Sequence, residues 1–208
     1  MIHPIKRDRK RQVRREFLVD AAMKIVAESG LDGLTMARLA DEVGASIGST
    51  YRYFPGKAEL VAALQAEAVA RFASHLQDAL VAPGAPTERV ARAHLAYLTF
   101  ADAAPEVFAL IDASLSEPRR VLDDAAAAAV EASLEPVLAV CAATIDDAVA
   151  AGALRPGDAV VRTHALWAAL HGVSHFRKRD GRTAVSSSRL AEEVVGTMLA
   201  GWGLDGTS

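Results

Sequence analysis

Residues 35–57, TMARLADEVGASIGSTYRYFPGK, read as two short helices that meet at Gly44. Thr35 stands where a hydroxyl caps the exposed N–H groups of a helix running toward Val43, and Leu39, Ala40 and Val43 give that helix one apolar face. Gly44 follows where a chain leaving a helix needs a left-handed residue, a conformation that glycine adopts without a Cβ clash. Ser46 is placed to cap a second helix, Ser46 to about Tyr53. The connection is then the three- or four-residue turn that sets two helices at a steep angle.

The second helix is small and polar on its outer side, which suits close approach of backbone to a groove in duplex DNA. Ser46, Ile47 and Ser49 are the candidates for base edges and thymine methyls, with Gly48 leaving room between them. Tyr51, Arg52 and Tyr53 are placed to reach phosphate oxygens, which would set register without reading sequence. Lys57 follows the Pro55-Gly56 break and opens the next helix, so its ammonium and that helix's N-terminal N–H groups can share one phosphate.

Charge is distributed to match. The whole chain carries a formal net charge of −3, but residues 1–57 hold eleven Lys or Arg against seven Asp or Glu, and residues 58–208 hold twelve against nineteen. Lys6, Arg7, Arg9, Lys10, Arg11, Arg14 and Arg15 crowd into what reads as an arm ahead of the first helix. Such an arm can sit on phosphates or enter a minor groove, with counterion release making binding salt-dependent. Lys10, Arg11 and Thr35 complete the candidate DNA-contacting set.

The pattern resembles the N-terminal part of TetR-family transcriptional regulators. Leu18 to Ala22, Gly30, Leu39-Ala40, Gly44, Ser46, Gly48, Tyr51, Phe54, Lys57 and Leu60 carry the likeness, in order and spacing, over about fifty residues. Thr50 stands where the family usually has an aliphatic residue, and Ile47 where a small or basic one is common. Thr50 is shaped like valine and its hydroxyl can bond back to a helix carbonyl. The resemblance implies a ligand pocket among the middle helices, a homodimer through the last two, and a palindromic operator read by recognition helices about one DNA turn, ~34 Å, apart.

Elsewhere the 208 residues, 51% hydrophobic, are rich in alanine runs such as Ala125 to Ala129 and poor in β-branched alternation, so the fold class expected is all-α with about nine helices. The blocks run from about Arg9 to Ser29, Lys57 to Leu80, Thr87 to Ala103, Glu106 to Leu115, Arg119 to Ala151 with a bend or split near Pro136, Asp158 to Lys178, and Ser186 to Trp202. Residues 1–56 are read as the DNA-binding domain and 57–208 as a helical ligand-binding and dimerisation domain. The N-terminus is too basic for a secretory signal, and no uninterrupted apolar stretch of about eighteen residues stands out, so a cytoplasmic protein without a membrane partner is expected. The lone cysteine, Cys141, excludes an intrachain disulfide and reads as a small buried hydrophobe.

For the pocket, aromatic and polar residues at helical spacing are the guide: His94, Tyr97, Leu98, Phe108, Ile111, Leu138, Cys141, Trp167 and His171 suit a small apolar or amphipathic effector. His171 and His175 have the i, i+4 spacing of a chelating pair, but no further ligand is placed, so neither metal nor cofactor is assigned. Leu166, Ala169, Leu170 and Val173, with Leu190, Val194, Val195, Met198 and Leu199, are the candidate dimer residues, either set being able to face its own core instead. With no nucleophile elbow, phosphate-binding glycine loop or metal-ligand set, an enzyme is not expected. A repressor released by an inducer fits the resemblance, the alternatives being an activator or a ligand-independent DNA-binding or interaction protein.

Overall fold

The computed structural model describes residues 4–116 and 124–203. Among these the protein is all-α, with nine helices and no strand: α1 (Pro4–Ser29), α2 (Met36–Glu42), α3 (Ile47–Tyr51), α4 (Lys57–Val81), α5 (Pro86–Ala103), α6 (Pro105–Ser116), α7 (Asp124–Ala150), α8 (Ala159–Phe176) and α9 (Ser187–Trp202). Packing divides them into two compact units, one from the described residues within Met1–Ala70 and Ala104–Ser133, the other from those within Arg71–Ala103 and Leu134–Ser208. The first part of α4 belongs to the unit that holds the N-terminal helices. Val61 of α4 forms a buried cluster with Val130 of α7, joined by Leu31 and Ala62, and Gln65 Nε2 donates to the Leu110 carbonyl of α6 at 3.4 Å.

In the first unit, α1 buries Leu18, Val19, Ala22, Met23, Ile25 and Val26, a stripe of helical period against which α2 and α6 pack. Thr35 caps α2 as expected, its hydroxyl accepting from Arg38 N at 3.1 Å. Gly44 closes α2 at φ 61, and the N–H of Gly44 reaches Asp41 O at 3.1 Å while that of Ala45 reaches Ala40 O at 2.9 Å. This pair of bonds satisfies carbonyls that the end of the helix would otherwise leave open. Arg38 ties the turn together, donating to Ser29 Oγ at 2.6 Å and pairing with Glu28 at 3.4 Å, and Lys24 pairs with Glu42 at 3.0 Å.

In the second unit, α5 packs against α8 and α9, and α8 against α9. Phe72 and Leu76 from the end of α4 are buried here, with the Phe72 ring 5.9 Å from Tyr97 and 5.5 Å from Phe100. Arg92 Nη2 donates to the Ala82 carbonyl at 2.7 Å, closing the end of α4. Asp158 and Ser186 cap α8 and α9 through Val161 N and Arg189 N, at 3.0 and 3.3 Å. Asp180 holds the segment before α9, accepting from Ser187 N at 2.8 Å and from Ser187 Oγ at 2.5 Å, and these bonds lower its pKa below the ordinary value.

Of the bend or split expected near Pro136, the split does not occur: α7 runs through the proline. Proline removes one backbone donor there, and the site is on an exposed face where water can serve the carbonyl left over. The same helix contains a span, Ala128–Ala150, whose length and mean hydropathy of 1.5 would suffice to cross a membrane, but it is not an uninterrupted apolar stretch. Glu131, Glu135, Asp146 and Asp147 interrupt it, and Val130, Leu134, Val137, Cys141, Ile145 and Ala148 form a buried core stripe at helical spacing. The expected helix start at Arg119 lies outside the described residues.

Candidate functional site

The recognition segment is built by local forces. Thr50 is buried and its hydroxyl donates to Ile47 O at 2.7 Å, so this small polar residue takes the inward place of α3 without leaving a donor open. Phe54 is wholly buried behind it. What faces outward is then Ser46, Ile47, Gly48, Tyr51 and Arg52, with Ser49 and Tyr53 half-buried; Ile47 and Tyr51 are 47% and 46% exposed. Ser46 departs from its expected role. Its hydroxyl caps nothing, and only its carbonyl joins the helix, accepting from Ser49 N at 2.8 Å.

The basic arm also departs from expectation. The α1 helix begins at Pro4, so Lys10, Arg11, Arg14 and Arg15 stand on a helix and do not form an extended arm able to enter a minor groove. Proline suits a first helical position, and the run that follows, Ile5 to Arg15, is dominated by lysine, arginine and glutamine, which are good helix formers. Lys10, Arg11, Val13, Arg14 and Phe17 of α1 line a cleft of about 920 Å³ with Ser49, Arg52 and Tyr53. The Arg52 guanidinium donates to Ser49 Oγ at 3.2 Å. Arg14 lies over the Phe17 ring at 4.9 Å and Arg15 over the Phe54 ring at 4.8 Å, so these cations are held in place by aromatic faces.

Val13 and Phe17 were not singled out in the sequence, yet both are largely exposed and line this cleft. The signal was there: residues 10, 13, 14 and 17 share one face of the helix expected from about Arg9. Lys57 opens α4 as expected, but its ammonium donates to the Leu31 carbonyl at 3.2 Å, closing the short turn Leu31–Gly33. Thr35 is exposed, with its hydroxyl engaged in the α2 cap.

The residues expected to face an effector are divided between the units. His94, Tyr97, Leu98, Leu138, Cys141, Trp167 and His171 belong to the second unit, whereas Phe108 and Ile111 are buried in the first. Tyr97 and His171 share a 2.9 Å hydrogen bond between the hydroxyl and Nδ1, and Trp167 stacks on His171 with ring centroids 6.0 Å apart. The His171 and His175 rings meet edge to face at 5.0 Å. His94 Nδ1 donates to the Val90 carbonyl at 2.8 Å, which leaves Nε2 as a buried acceptor without a partner, and burial lowers the pKa of this group. Burial pushes the Cys141 thiol up to about 12, and its Sγ lies 3.9 Å from the Ala93 carbonyl.

The family model for bacterial regulatory proteins of the tetR family matches residues 18–64, and the model for the tetracyclin repressor-like C-terminal domain matches residues 90–198. The HTH-type transcriptional repressor KstR of Mycobacterium tuberculosis is 30% identical over 77 residues, which are 37% of this chain and 35% of that protein. The chain thus spans about a third of the length of that curated relative. A protein of unknown function from Rhodococcus sp. RHA1 superposes with a TM-score of 0.74 at 25% identity, covering 91% of this chain and 95% of that one. AibR, in complex with isovaleryl coenzyme A and operator DNA, shares the fold with a TM-score of 0.63 at 16% identity, covering 88% of this chain and 97% of that one. With both halves of the architecture matched and a helix-turn-helix in place, this chain belongs to the TetR family of bacterial transcriptional regulators.

Proposed function

We propose that the protein is a cytoplasmic, homodimeric repressor that reads a palindromic operator and releases it when a small apolar or amphipathic effector binds. The observation that carries the DNA contact is the cleft in which Lys10, Arg11 and Arg14 face Ser49, Arg52 and Tyr53 beside the exposed outer side of α3. Cations on α1 and Arg52 would grip phosphates on the flank, while Ser46, Ile47, Gly48 and Ser49 approach base edges and Tyr51 reaches the backbone. Thr35 and Lys57 would act chiefly by holding the turns that present α3, since their polar atoms already serve the fold.

The effector would contact the Tyr97, Trp167 and His171 cluster with His94, Leu98, Leu138 and Cys141 of the second unit. The orphan acceptor of His94 supports a ligand that brings a hydrogen-bond donor into an apolar surround. AibR, which shares this fold, is known with an acyl coenzyme A and operator DNA together, and KstR is a repressor. Because α4 begins in the unit that carries α3 and ends among Phe72, Leu76 and Tyr97, an effector that favours another setting of α4 changes how α3 is presented. A coupling of about 1–3 kcal/mol, typical of allosteric pairs, corresponds to a 5- to 150-fold change in operator affinity. In α8 and α9, Leu166, Leu170, Val173 and Val195 are buried in their own chain, which leaves Ala169, Leu190, Val194, Met198 and Leu199 to meet a second copy.

Selection of pooled random duplex DNA on the purified protein at two salt concentrations, beside an Arg11→Ala, Arg52→Ala variant, tests the reading. A retained palindrome, weakened by salt and lost in the variant, is the expected result. Unselective retention, or none, overturns it.

A further inference from the structure

The chain crosses the division between the two units at three places: between residues 70 and 71 in α4, 103 and 104 after α5, and 133 and 134 in α7. The second crossing is a turn, since α5 ends at Ala103 and α6 begins at Pro105. The other two lie inside continuous helices, and these are built differently. The α4 helix has no proline or glycine in its 25 residues, so every backbone donor of its ladder is present where it crosses. The α7 helix has Pro136 just beyond its crossing.

In an α-helix the carbonyls of residues 130–133 are tied to the next turn by the N–H groups of residues 134–137. Pro136 has no N–H, so the Ala132 carbonyl receives none from it, and the proline ring crowds that carbonyl. The Val130 carbonyl is contested as well, because Ser133 Oγ donates to it at 2.6 Å and so shares the acceptor that serves the Leu134 N–H. Of the backbone bonds that cross the division in α7, one is therefore absent and another weakened. On either side the helix is firmly seated. Val130 is buried with Val61 in the first unit, and Leu134, Val137, Cys141 and Ile145 are buried in the second. Ala132, Glu135 and Pro136 are exposed, so no packing stiffens the outer side of the weakened turn.

We propose that residues 132–136 are a hinge in α7, through which the unit carrying α3 changes its setting while α7 stays helical on both sides. The hinge rests on the coupling proposed through α4. An unbroken α4 carries a tilt from one unit into the other as a rod. The α7 helix, anchored by Val130 in one unit and by Val137 and Cys141 in the other, must then bend, and it bends where the fewest backbone bonds oppose it. Bending an intact helix stretches or breaks a bond of the ladder. At Pro136 that bond is already missing, so the switch proceeds without melting a turn of α7.

The test is the distribution of distances between two nitroxide labels, read by pulsed electron resonance on the full-length protein without DNA or effector. The labels are placed in a Cys141→Ala background, and labelled chains are diluted with unlabelled ones so that only pairs within one chain are read. Asp41→Cys with Val185→Cys, both exposed, spans the two units; Val81→Cys with Val185→Cys lies within the second unit and sets the width of a single body. The spanning pair should give the broader distribution in the parent. Pro136→Ala, which restores the donor and favours helix, should remove at least half of that excess width and melt no lower than the parent. Pro86→Ala, at the first position of α5, should leave the width unchanged. An excess width that Pro136→Ala does not reduce overturns the hinge and leaves the α4 coupling standing. A spanning pair no broader than the reference pair overturns both.

Discussion

Gly44→Ala and Gly48→Ala, made separately, should move stability and DNA affinity in different combinations. At Gly44 φ is 61, and a Cβ would meet nothing within 4 Å, so the penalty is backbone strain alone. Forcing alanine into the left-handed region costs about 1–2 kcal/mol. For a chain of this size each kcal/mol shifts the melting temperature by about 2–4 °C, giving a fall of about 2–8 °C. At Gly48 a Cβ also meets nothing within 4 Å, but this glycine lies in the five-residue α3. Alanine there should stabilise by at most about 0.5–1 kcal/mol, raising the melting temperature by about 1–4 °C. The added methyl stands on the face proposed to meet the groove, so operator affinity should fall about tenfold, or roughly 1.4 kcal/mol, in the more stable protein. Thermal unfolding by circular dichroism and fluorescence anisotropy on a selected duplex measure the two effects. If Gly44→Ala melts with the parent, the left-handed turn does not close α2. If Gly48→Ala binds as tightly as the parent, the start of α3 does not approach DNA.

Other perturbations reach the second unit. Because burial lowers the His94 pKa, the unfolded state takes up a proton that the native state does not. Stability present above the ordinary histidine value of about 6.5 should therefore be lost as pH falls through it, with a slope of at most about 1.4 kcal/mol per pH unit, and His94→Gln should flatten that part of a melting-temperature profile. Cys141, with its thiol pushed up to about 12, should react with a disulfide reagent at pH 8 on the order of 10³-fold more slowly than an ordinary cysteine until the chain is unfolded; rapid native labelling would contradict its burial. Arg162 lies over the Trp202 ring at 5.1 Å and donates to the Arg155 carbonyl at 2.8 Å, while Arg155 N donates to Trp202 O at 2.8 Å. Arg162→Ala should thus cost about 1–3 kcal/mol in urea unfolding, and a change within error would show that this clasp on the α7–α8 connection is idle.

Most of the secondary structure was legible because its causes are local. Thr35, Gly44, Asp158 and Ser186 act within one turn of chain, and the apolar periodicity of α4 and α5 selects their buried faces without reference to anything distant. The recognition segment was legible for the same reason, down to the Thr50 hydroxyl bonding back to its own helix. Reading the basic run as an arm failed on a local point, since Pro4 and the helix-forming residues after it extend α1 past Arg9. The cleft-lining face of α1, including Phe17, lies within the helix already expected from about Arg9 and follows from helical spacing.

What pattern could not decide were outcomes set by which surfaces meet. Lys57 reaches the Leu31 carbonyl 26 positions away, and Tyr97 meets His171 across 74. Phe108 and Ile111 are as apolar and as buried as the residues near Tyr97, yet they pack in the other unit, and nothing in their own neighbourhood in the chain distinguishes the two cases. Thr163 reads as an ordinary helical threonine, and only the packing of α8 against α7 shows that its hydroxyl is closed off from water without a partner. The amino-acid sequence by itself determined the helices, the turn at Gly44 and the family, because caps, backbone preferences and periodic burial act over a few residues. The tertiary structure alone decided which polar atoms are satisfied and where space is left, because desolvation and close packing depend on groups that the chain brings together from far apart.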